Sequence, residues 1–221
     1  MLTKRHFIIS AAALFSAPIS SIANAGPTSD SSKWAAWDAQ VTPANYDPFT
    51  SNPWGLKSRF LPHVVEANPG LTPGDIHVDA VARYLYHIRA DGTAMRYGVA
   101  IAKGNLYEPG TYEIKRKAKW PTWTPTPAMV KRDPANYEQF ADGMNAGPSN
   151  PLGSRALYLY VGNRDTYLRI HGSPHPRSIG GRASSGCVRM VMAHIIGLYD
   201  QVATGSTAFL YAPETLLSAQ S

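Results

Sequence analysis

ALYLYVGNRDTYLRIHG, residues 156–172, predicts two strands joined by a tight turn. Aliphatic and aromatic residues dominate both arms, as is typical of strands, and GNRD between them is a hairpin signal. On the N-terminal side, residues 75–101 predict three more short strands, because apolar residues alternate there and ADGT marks a turn. GTYEIKRKA at 110–118 and STAFLYA at 206–212 are also predicted to be strands. The sequence therefore predicts a mostly β fold.

Helices are expected in two places beside these strands. Val191, Ile195, Leu198 and Val202 recur at helical spacing, and Gly205 stands where a C-terminal cap belongs. Residues 120–155 form a long excursion rich in Pro, Gly and Asn, with short helices expected around 128–132 and 137–143. A loop of this length in a compact domain usually has a function, so we expect a lid or substrate wall that includes residues 120–123.

The first 25 residues have the composition of a secretory signal peptide. Lys4 and Arg5 precede the short apolar run 7–22, and ANA at 23–25 offers the small residues that signal peptidase requires. TKRHFII also resembles a weakened twin-arginine signal, so either export route stays open. Ser and Pro break the apolar run, which makes it a poor membrane span. We therefore expect an exported protein that keeps no stable membrane anchor after cleavage.

Residues 26–74 differ in composition and hydrophobic pattern from the strand-rich part of the chain. They are rich in Pro, Asn and Ser and keep no regular hydrophobic period, which predicts coil with one short helix near 34–39. We expect an N-terminal extension here, then one domain at 75–212 and a tail at 213–221.

Charge excludes one class of partner. The formal net charge is +6, and it falls to +4 once Lys4 and Arg5 are removed. The cluster KRKAK at 115–119 is interpreted as a solvated charged face. Since nucleic-acid-binding proteins usually carry a stronger basic footprint, no nucleic acid is expected as a partner. A basic surface outside the membrane fits an anionic partner such as a cell-wall polymer.

Cys187 is the only cysteine of the sequence, and it stands in SSGCVR. Because a structural disulfide needs two cysteines, three interpretations remain: a buried inert thiol, an intermolecular bridge and a reactive nucleophile. Small polar neighbours favour the nucleophile, since Gly186 lets the backbone turn sharply and leaves N–H groups for an oxyanion. The apolar run after the cysteine predicts a helix N-terminus near the sulfur, which would favour the thiolate.

His171 is the candidate base for this thiol, because it ends a predicted strand and precedes Gly172. His175 lies in a proline-flanked loop with less reason to be held in one orientation. Two histidines without nearby carboxylates supply too few ligands for a metal site, so neither a metal nor a cofactor is expected. His194, on the predicted helix, is more typical of a core or surface position. A papain-like protease is disfavoured because its cysteine precedes its histidine in sequence.

IHGSPHPRSIGGRASSGCVRM, residues 170–190, resembles the signature of the L,D-transpeptidases of bacterial cell walls, whose catalytic domain is of the YkuD type. That signature contains His-Gly, Ile-Gly and Ser-His-Gly-Cys-(Ile/Val)-Arg, which fall here on residues 171–172, 179–180 and 184–189. Ser185 stands where the family usually has histidine, a departure that bears on substrate contacts. The resemblance covers about residues 74–212 and implies a β-sandwich or barrel-type catalytic domain.

The resemblance also implies a reaction. Cys187 would attack a peptidoglycan stem tetrapeptide at the carbonyl of its third residue, usually meso-diaminopimelate, and release D-Ala. His171 would move the proton, oriented by a backbone carbonyl near Gly172, and N–H groups around Gly186 would hold the oxyanion. Implied substrate-binding residues are Ser173, Ser184, Ser185 and Arg189. Arg189 would bind a carboxylate as a bidentate donor, unless it forms a structural ion pair.

The fate of the acyl group stays open at this point. An acceptor amine on a second stem peptide would give a 3-3 cross-link between third residues, and an amine on an acceptor protein would anchor that protein. Resolution by water would make an L,D-carboxypeptidase, and cleavage of an existing cross-link an endopeptidase. A peptidoglycan-binding module with an unreactive thiol is the remaining alternative. The expected location is the periplasm.

Overall fold

The computed structural model describes residues 28–213, so the predicted signal peptide at 1–25 and the tail beyond residue 213 lie outside the described residues. Eleven strands occur in this range: β1 His63–Glu66, β2 Ile76–Asp79, β3 Tyr84–Ile88, β4 Thr93–Gly98, β5 Ile101–Ala102, β6 Gly110–Lys119, β7 Arg155–Val161, β8 Arg164–Ser173, β9 Arg182–Ser184, β10 Val188–Val191 and β11 Thr207–Leu210. Four α-helices accompany them: α1 Thr28–Val41, α2 Pro127–Arg132, α3 Pro134–Tyr137 and α4 Met192–Gln201. The mostly β prediction is confirmed.

Nine of the described strands form one sheet, in the order β1-β4-β3-β2-β11-β6-β7-β8-β10. Neighbours are antiparallel except β2 with β11 and β8 with β10, which are parallel. Ala100, just after β4, exchanges two backbone hydrogen bonds with Arg189 of β10, at 2.9 and 2.8 Å. One edge of the sheet therefore curves back onto the region beside β4, and the short parallel pair β5 and β9 lies next to that junction. This closure gives the sheet a barrel-like curvature.

The inside of the curved sheet forms the main hydrophobic core. Helix α4 packs against β7 and β8 and buries Ile195 and Leu198 completely. The largest buried side chains of the strands meet it there: Ile76, Leu85, Ile114, Leu157, Leu159, Ile170 and Met190. Burial of each such side chain contributes about 1.5–3 kcal/mol. This core fixes β7, β8 and β10 relative to one another.

The segment 26–74 is more structured than the sequence predicts. The helix expected near residues 34–39 extends over Thr28–Val41, and β1 pairs with β4 at the edge of the main sheet. β1 gives no alternating signal because three of its four residues are exposed. The extension therefore contributes an edge strand to the sheet that carries the C-terminal elements.

Phe60 ties the extension to the rest of the fold. It is 3 % exposed and packs against two glycines that are distant in sequence. A Cβ added at Gly98 would lie 2.6 Å from Phe60 Cβ, and one added at Gly180 would lie 2.5 Å from Phe60 Cζ. A side chain at Gly98 would overlap the Cβ and backbone of Phe60, and one at Gly180 would overlap its ring. Phe60 thus joins the end of β4 to the loop that precedes β9.

Helix α1 is held by an ion pair. Asp38 accepts two hydrogen bonds from the guanidinium of the buried Arg155, at 2.9 and 2.6 Å, and a third from Trp120 Nε1 at 3.0 Å. Trp37 packs edge-on against Trp120, with ring centroids 5.2 Å apart. Since Trp120 and Arg155 bracket the excursion 120–155, α1 fixes both of its ends.

Helix α4 begins at Met192, one residue after Val191, the first member of the predicted helical pattern, and its C-terminal cap is not Gly205. Val202 is the C-cap residue, and Gly205, with φ +93°, forms a turn whose N–H donates to Ile114 O at 2.9 Å. The last helical carbonyls are instead satisfied from a neighbouring strand, because Lys117 Nζ donates to Tyr199 O and Val202 O at 2.6 and 2.5 Å. A lysine at this end also complements the helix dipole.

The expected helix N-terminus beside Cys187 is also absent. Residues 188–191 form strand β10, which pairs in parallel with β8, so the prediction of a thiolate stabilised by a helix dipole is wrong. In the excursion, α2 confirms the first predicted helix, whereas α3 and the 3-10 turn Glu138–Phe140 lie slightly N-terminal to the second. None of the helices described between residues 28 and 213 is both long and apolar enough to cross a membrane.

Candidate active site

A cleft of about 1020 Å³ opens between one face of the sheet and the excursion 120–155. Side chains of β6, β7 and β8 and the turn before β10 line one side. Trp123, Tyr137 and Phe140 line the other, with the Trp123 ring 6.2 and 6.0 Å from the other two rings. The excursion is therefore an ordered wall. Trp120, expected in this lid, is instead buried against α1.

The pairing of β8 with β10 brings the predicted nucleophile and base together. Arg189 is the register partner of His171, and continuing this register to the residue just before β10 sets Cys187 opposite Arg169. Because alternate residues of a strand share a face, these four side chains point to the same side of the sheet. All four line the cleft.

His171 is held as one tautomer. It is 4 % exposed, and its Nδ1 lies 2.6 Å from the Gly172 carbonyl oxygen. Since a carbonyl only accepts, Nδ1 carries the hydrogen and Nε2 keeps its lone pair. Burial lowers the pKa of His171 to about 3, against the raising effect of the Gly172 carbonyl, and the nearby Arg189 and Arg169 lower it further. The imidazole is therefore neutral over the physiological range.

Gly172 is required by close backbone packing. A Cβ there would lie 3.2 Å from the backbone nitrogen and Oγ of Ser154 and 3.2 Å from Ile195 Cγ2. Gly153 meets Gly172 from the other side in the left-handed region, with φ +59°. These contacts fix the carbonyl that holds the His171 ring.

Cys187 is partly exposed to the cleft, and its Sγ donates to Tyr167 O at 3.7 Å. Within residues 28–213 no hydrogen bond joins Sγ to His171. Desolvation by the surrounding protein raises the pKa of the thiol, and the positive charge of Arg169 opposes that rise. At rest the pair is therefore a neutral thiol beside a neutral imidazole.

The turn before Cys187 depends on Gly186 and Ser184. Gly186 has φ +151°, which favours glycine, and a Cβ there would lie 3.4 Å from Leu168 Cδ2. Ser184 is buried, donates to the Cys187 carbonyl, and accepts a long 3.4 Å hydrogen bond from the Gly186 N–H. Although Ser184 lines the cleft, its hydroxyl is used inside the turn, and the Gly186 N–H predicted for an oxyanion already has this distant partner.

The remaining predicted side chains lie around the same cleft. Ser185 Oγ and Tyr137 OH are 2.7 Å apart, so the residue in place of the family's usual histidine contacts the excursion. Ser173 is buried and accepts from the His175 backbone N–H at 3.2 Å, whereas the His175 side chain is exposed. No group of three or more metal-binding side chains occurs in the described part of the chain.

Arg189 lacks the ion pair that was its structural alternative. Between residues 28 and 213 no acidic side chain pairs with it, and its buried Nε has no hydrogen-bond partner. Burial lowers the pKa of Arg189, and the nearby Cys187 opposes this. Its guanidinium is thus a cation in the cleft without a protein counter-ion in the described residues.

Sequence reasoning missed a second group of residues in the cleft: Arg116, Tyr158 and Arg169. The guanidiniums of Arg116 and Arg169 each lie 4.1 Å from the centroid of the Tyr158 ring. Arg116 belongs to the cluster at 115–119 that was interpreted as a solvated face; it is exposed, but it also lines the cleft. Only the strand register places it there, so no local sequence signal could have revealed it.

Comparison with known proteins agrees with the geometry. The sequence model of the L,D-transpeptidase catalytic domain, YkuD, matches residues 73–210. The chain is 34% identical over 131 residues to a putative L,D-transpeptidase encoded in the ATP synthase subunits region of Fuscovulum blasticum, covering 58% of this chain and 64% of that protein. It is 29% identical over 171 residues to the probable L,D-transpeptidase YbiS of Escherichia coli K12, covering 66% and 54% respectively. The matched region thus spans less than two thirds of either relative.

A solved structure from Brucella melitensis, titled as a probable carnitine operon oxidoreductase caia, is 46% identical and aligns over 70% of this chain and 96% of that one, with a TM-score of 0.49. The YkuD match extends over more than half of the 221 residues. The chain therefore belongs to the L,D-transpeptidase family with a YkuD-type catalytic domain.

Proposed function

We propose that this protein is a cysteine acyltransferase that acts on peptidoglycan stem peptides in the periplasm. The observation that carries the proposal is the fixed tautomer of His171, whose Nδ1 donates to Gly172 O at 2.6 Å in a cleft that also contains Cys187. A buried imidazole with a free Nε2 lone pair is suited to accept a thiol proton. The predicted export signal, outside the described residues, supports the location.

The proposed reaction has two halves. In the first, Sγ of Cys187 attacks the carbonyl of the third residue of a stem tetrapeptide while its proton moves to His171 Nε2. Backbone N–H groups at Cys187 and Gly186 stabilise the oxyanion, and Gly186 exchanges its long bond to Ser184 for this stronger acceptor. The imidazolium then protonates the leaving D-Ala amine, which leaves a thioester. In the second half, an acceptor amine loses its proton to His171 Nε2 and attacks the thioester carbonyl, the C–S bond breaks, and the imidazolium returns the proton to Cys187 Sγ.

The positive charges beside Cys187 and His171 act in opposite ways on the two groups of the ion pair. Arg169 and Arg189 stabilise a thiolate, yet the same two charges disfavour an imidazolium. A separated ion pair is therefore costly at rest. The proton transfer is expected to accompany the attack of sulfur on the carbonyl, when the negative charge moves to the oxyanion.

Three acceptors are compatible with this chemistry. A second stem peptide gives a 3-3 cross-link at diaminopimelate, a protein amine gives an anchored protein, and water gives carboxypeptidase activity. We favour an amine because the family is named for transpeptidation and the residues around Cys187 match its signature.

Intact-protein mass spectrometry tests the nucleophile and the base. A carbapenem is expected to acylate Cys187, with the adduct absent in Cys187→Ala and formed at least about 100-fold more slowly in His171→Gln, since general-base catalysis contributes about 10²–10⁴-fold. His63→Gln, which removes an exposed histidine outside the cleft, serves as the matched control and should react normally. Thermal unfolding of each variant checks that it is folded.

The acceptor is identified with a disaccharide-tetrapeptide as the only substrate. A cross-linked dimer with loss of D-Ala indicates transpeptidation, and a tripeptide alone indicates carboxypeptidation. Absence of both adduct and product, from folded protein with a titratable thiol, would overturn the catalytic proposal and favour a peptidoglycan-binding module.

A further inference from the structure

We propose that Arg116, at the side of the cleft away from Cys187, binds a carboxylate of the wall peptide and so forms a subsite for substrate recognition. The inference rests on the proposed function, because it takes the peptide as the ligand. It concerns a residue outside the signature at 170–190, on a different strand from both Cys187 and His171.

Strand register aligns this residue with the nucleophile. Arg116 of β6 is the partner of Tyr158 on β7, and Tyr158 is the partner of Arg169 on β8, which lies opposite Cys187. The four residues form a row across β6, β7, β8 and the residue that precedes β10. Because neighbouring strands are about 4.8 Å apart, the Arg116 backbone lies about 14 Å from that of Cys187. Its guanidinium leans over Tyr158, so the charge lies about 10 Å from the nucleophile strand.

The two arginines that flank Tyr158 have different electrostatic states. Arg169 is buried and donates two hydrogen bonds to the Asp165 carboxylate, at 2.7 and 2.9 Å, so its hydrogen-bonding face is already occupied by a protein carboxylate. Arg116 is exposed and, in the described residues, has no acidic partner. Arg116 is therefore the member of the row whose charge is available to a ligand.

The buried Tyr158 ring gives Arg116 a defined position. Tyr158 is 5 % exposed and carries a guanidinium at 4.1 Å on each side along the row. Stacking on an aromatic ring restrains a long arginine side chain while leaving its in-plane N–H groups free for a bidentate acceptor. The stack thus reduces the entropy that an exposed arginine would lose on binding a carboxylate.

The distance from the thiol limits which group can reach Arg116. An extended peptide advances about 3.3 Å per residue, so a group about 10 Å from the acylated carbonyl is two to three residues away.

Other charged side chains also line the cleft: Arg132, Arg189 and Glu108. Because Glu108 is the only acid among the cleft residues, the cleft as a whole favours an anionic peptide. The carboxylate is carried either by the acyl donor or by the acceptor peptide.

Binding is measured without turnover by calorimetric titration of Cys187→Ala protein with a stem tetrapeptide. The same titration is repeated with a second peptide whose internal carboxylates are converted to amides. Introducing Arg116→Gln into the Cys187→Ala protein is expected to weaken binding of the unmodified peptide about five- to tenfold, so that the unmodified peptide no longer binds more tightly than the amidated one. Arg116→Lys should keep part of the affinity, because it retains the charge without the planar stack. Lys119→Gln is the matched control, since it removes the same charge from the opposite face of β6, outside the cleft.

Single-turnover acylation separates the two sources of the carboxylate. If the acyl donor carries the carboxylate, Arg116→Gln in the enzyme that retains Cys187 slows acylation at subsaturating tetrapeptide. If the acceptor peptide carries the carboxylate, acylation is unchanged and only the dependence of the transfer rate on acceptor concentration changes. Lys119→Gln, outside the cleft, should acylate at the native rate in both cases. Unchanged peptide affinity in Arg116→Gln, or an equal loss in Lys119→Gln, would overturn the subsite while leaving the acyltransferase proposal intact. Failure of the tetrapeptide to bind even with Arg116 present would overturn both.

Discussion

At the scale of single residues, burial of His171 sets the pH range of the reaction. Its pKa is lowered to about 3, so the imidazole stays deprotonated at pH 5, where an ordinary histidine near 6.5 would be mostly protonated. We expect the rate of carbapenem acylation to change less than about twofold between pH 8 and pH 5. The acid limb should lie below pH 5. Rates measured by mass spectrometry or absorbance across this range check the expectation, and a fall centred near pH 6.5 would contradict it.

The free energy of unfolding also depends on pH, because His171 and His194 are both buried in the folded protein. The folded protein keeps His171 and His194 neutral, with pKa values of about 3, whereas the unfolded chain takes up protons near pH 6.5. The stability due to these two groups is therefore complete above pH 6.5 and is lost progressively as the pH falls toward 3. Each histidine contributes a slope of about 1.4 kcal/mol per pH unit in that window. Circular dichroism at each pH separates unfolding from loss of chemistry.

The sequence indicated the candidate nucleophile and base better than it indicated the residues around them. Cys187, Gly186 and His171 stand out as candidates because small residues around a lone thiol are a local signal. The position of Arg116 and Tyr158 in the cleft depends on which strands are neighbours and in what register, and local sequence contains neither. The ion pair considered for Arg189 also required knowledge of distant carboxylates, and none is paired with it in the described residues.

At the scale of elements, the loop before β9 depends on its contact with Phe60. Gly180 and Gly70 have nearly the same φ, +88° and +85°, but only Gly180 meets another residue. Gly180→Ala is expected to cost about 2–4 kcal/mol of unfolding free energy, because backbone strain adds to overlap with a buried ring. Gly70→Ala should cost about 1 kcal/mol from strain alone. Urea denaturation of both variants gives the difference, and equal losses would show that the Phe60 contact is not limiting.

Elements with a strong internal pattern were predicted correctly, and those defined by their neighbours were not. The hairpin β7 and β8 is rich in aliphatic and aromatic residues and has a turn signal, and both strands are where the sequence placed them. β10 was mistaken for the start of a helix because three of the four residues of VRMV are apolar and lead directly into the helical pattern, whereas they form a strand that pairs in parallel with β8. β1 is an exposed edge strand and lacks a buried face that would produce a period.

At the scale of the whole molecule, the Asp38–Arg155 pair connects the extension to the strand that enters the cleft. Arg155 is 3 % exposed, so Asp38→Ala leaves a buried guanidinium without its carboxylate. We expect a loss of about 2–3 kcal/mol of unfolding free energy. Asp30→Ala, on an exposed position of the same helix, should change it by less than about 0.5 kcal/mol. Chemical denaturation compares the two; similar stabilities would mean that α1 contributes little to the fold.

The division of the chain into extension and catalytic domain remains a prediction that the interatomic contacts complicate. Composition alone separates residues 26–74 from the strand-rich region, because the extension lacks a regular period. Yet Phe60 and Asp38 contact residues deep in the β-rich region, and such contacts leave no trace in composition. The part of the chain that resembles the family is thus stabilised by residues outside it.

The packing of Phe60 has a consequence for how related sequences can diverge. The ring of Phe60 excludes a side chain at Gly180, so a lineage that replaced the ring with a small residue would relieve that glycine. Conversely, a side chain acquired at Gly180 would select against the aromatic residue. Gly98 instead meets the Cβ and backbone of residue 60, so it stays restricted to glycine when the ring is lost. Positions 60 and 180 are therefore expected to change together during evolution, although they are 120 positions apart in the chain.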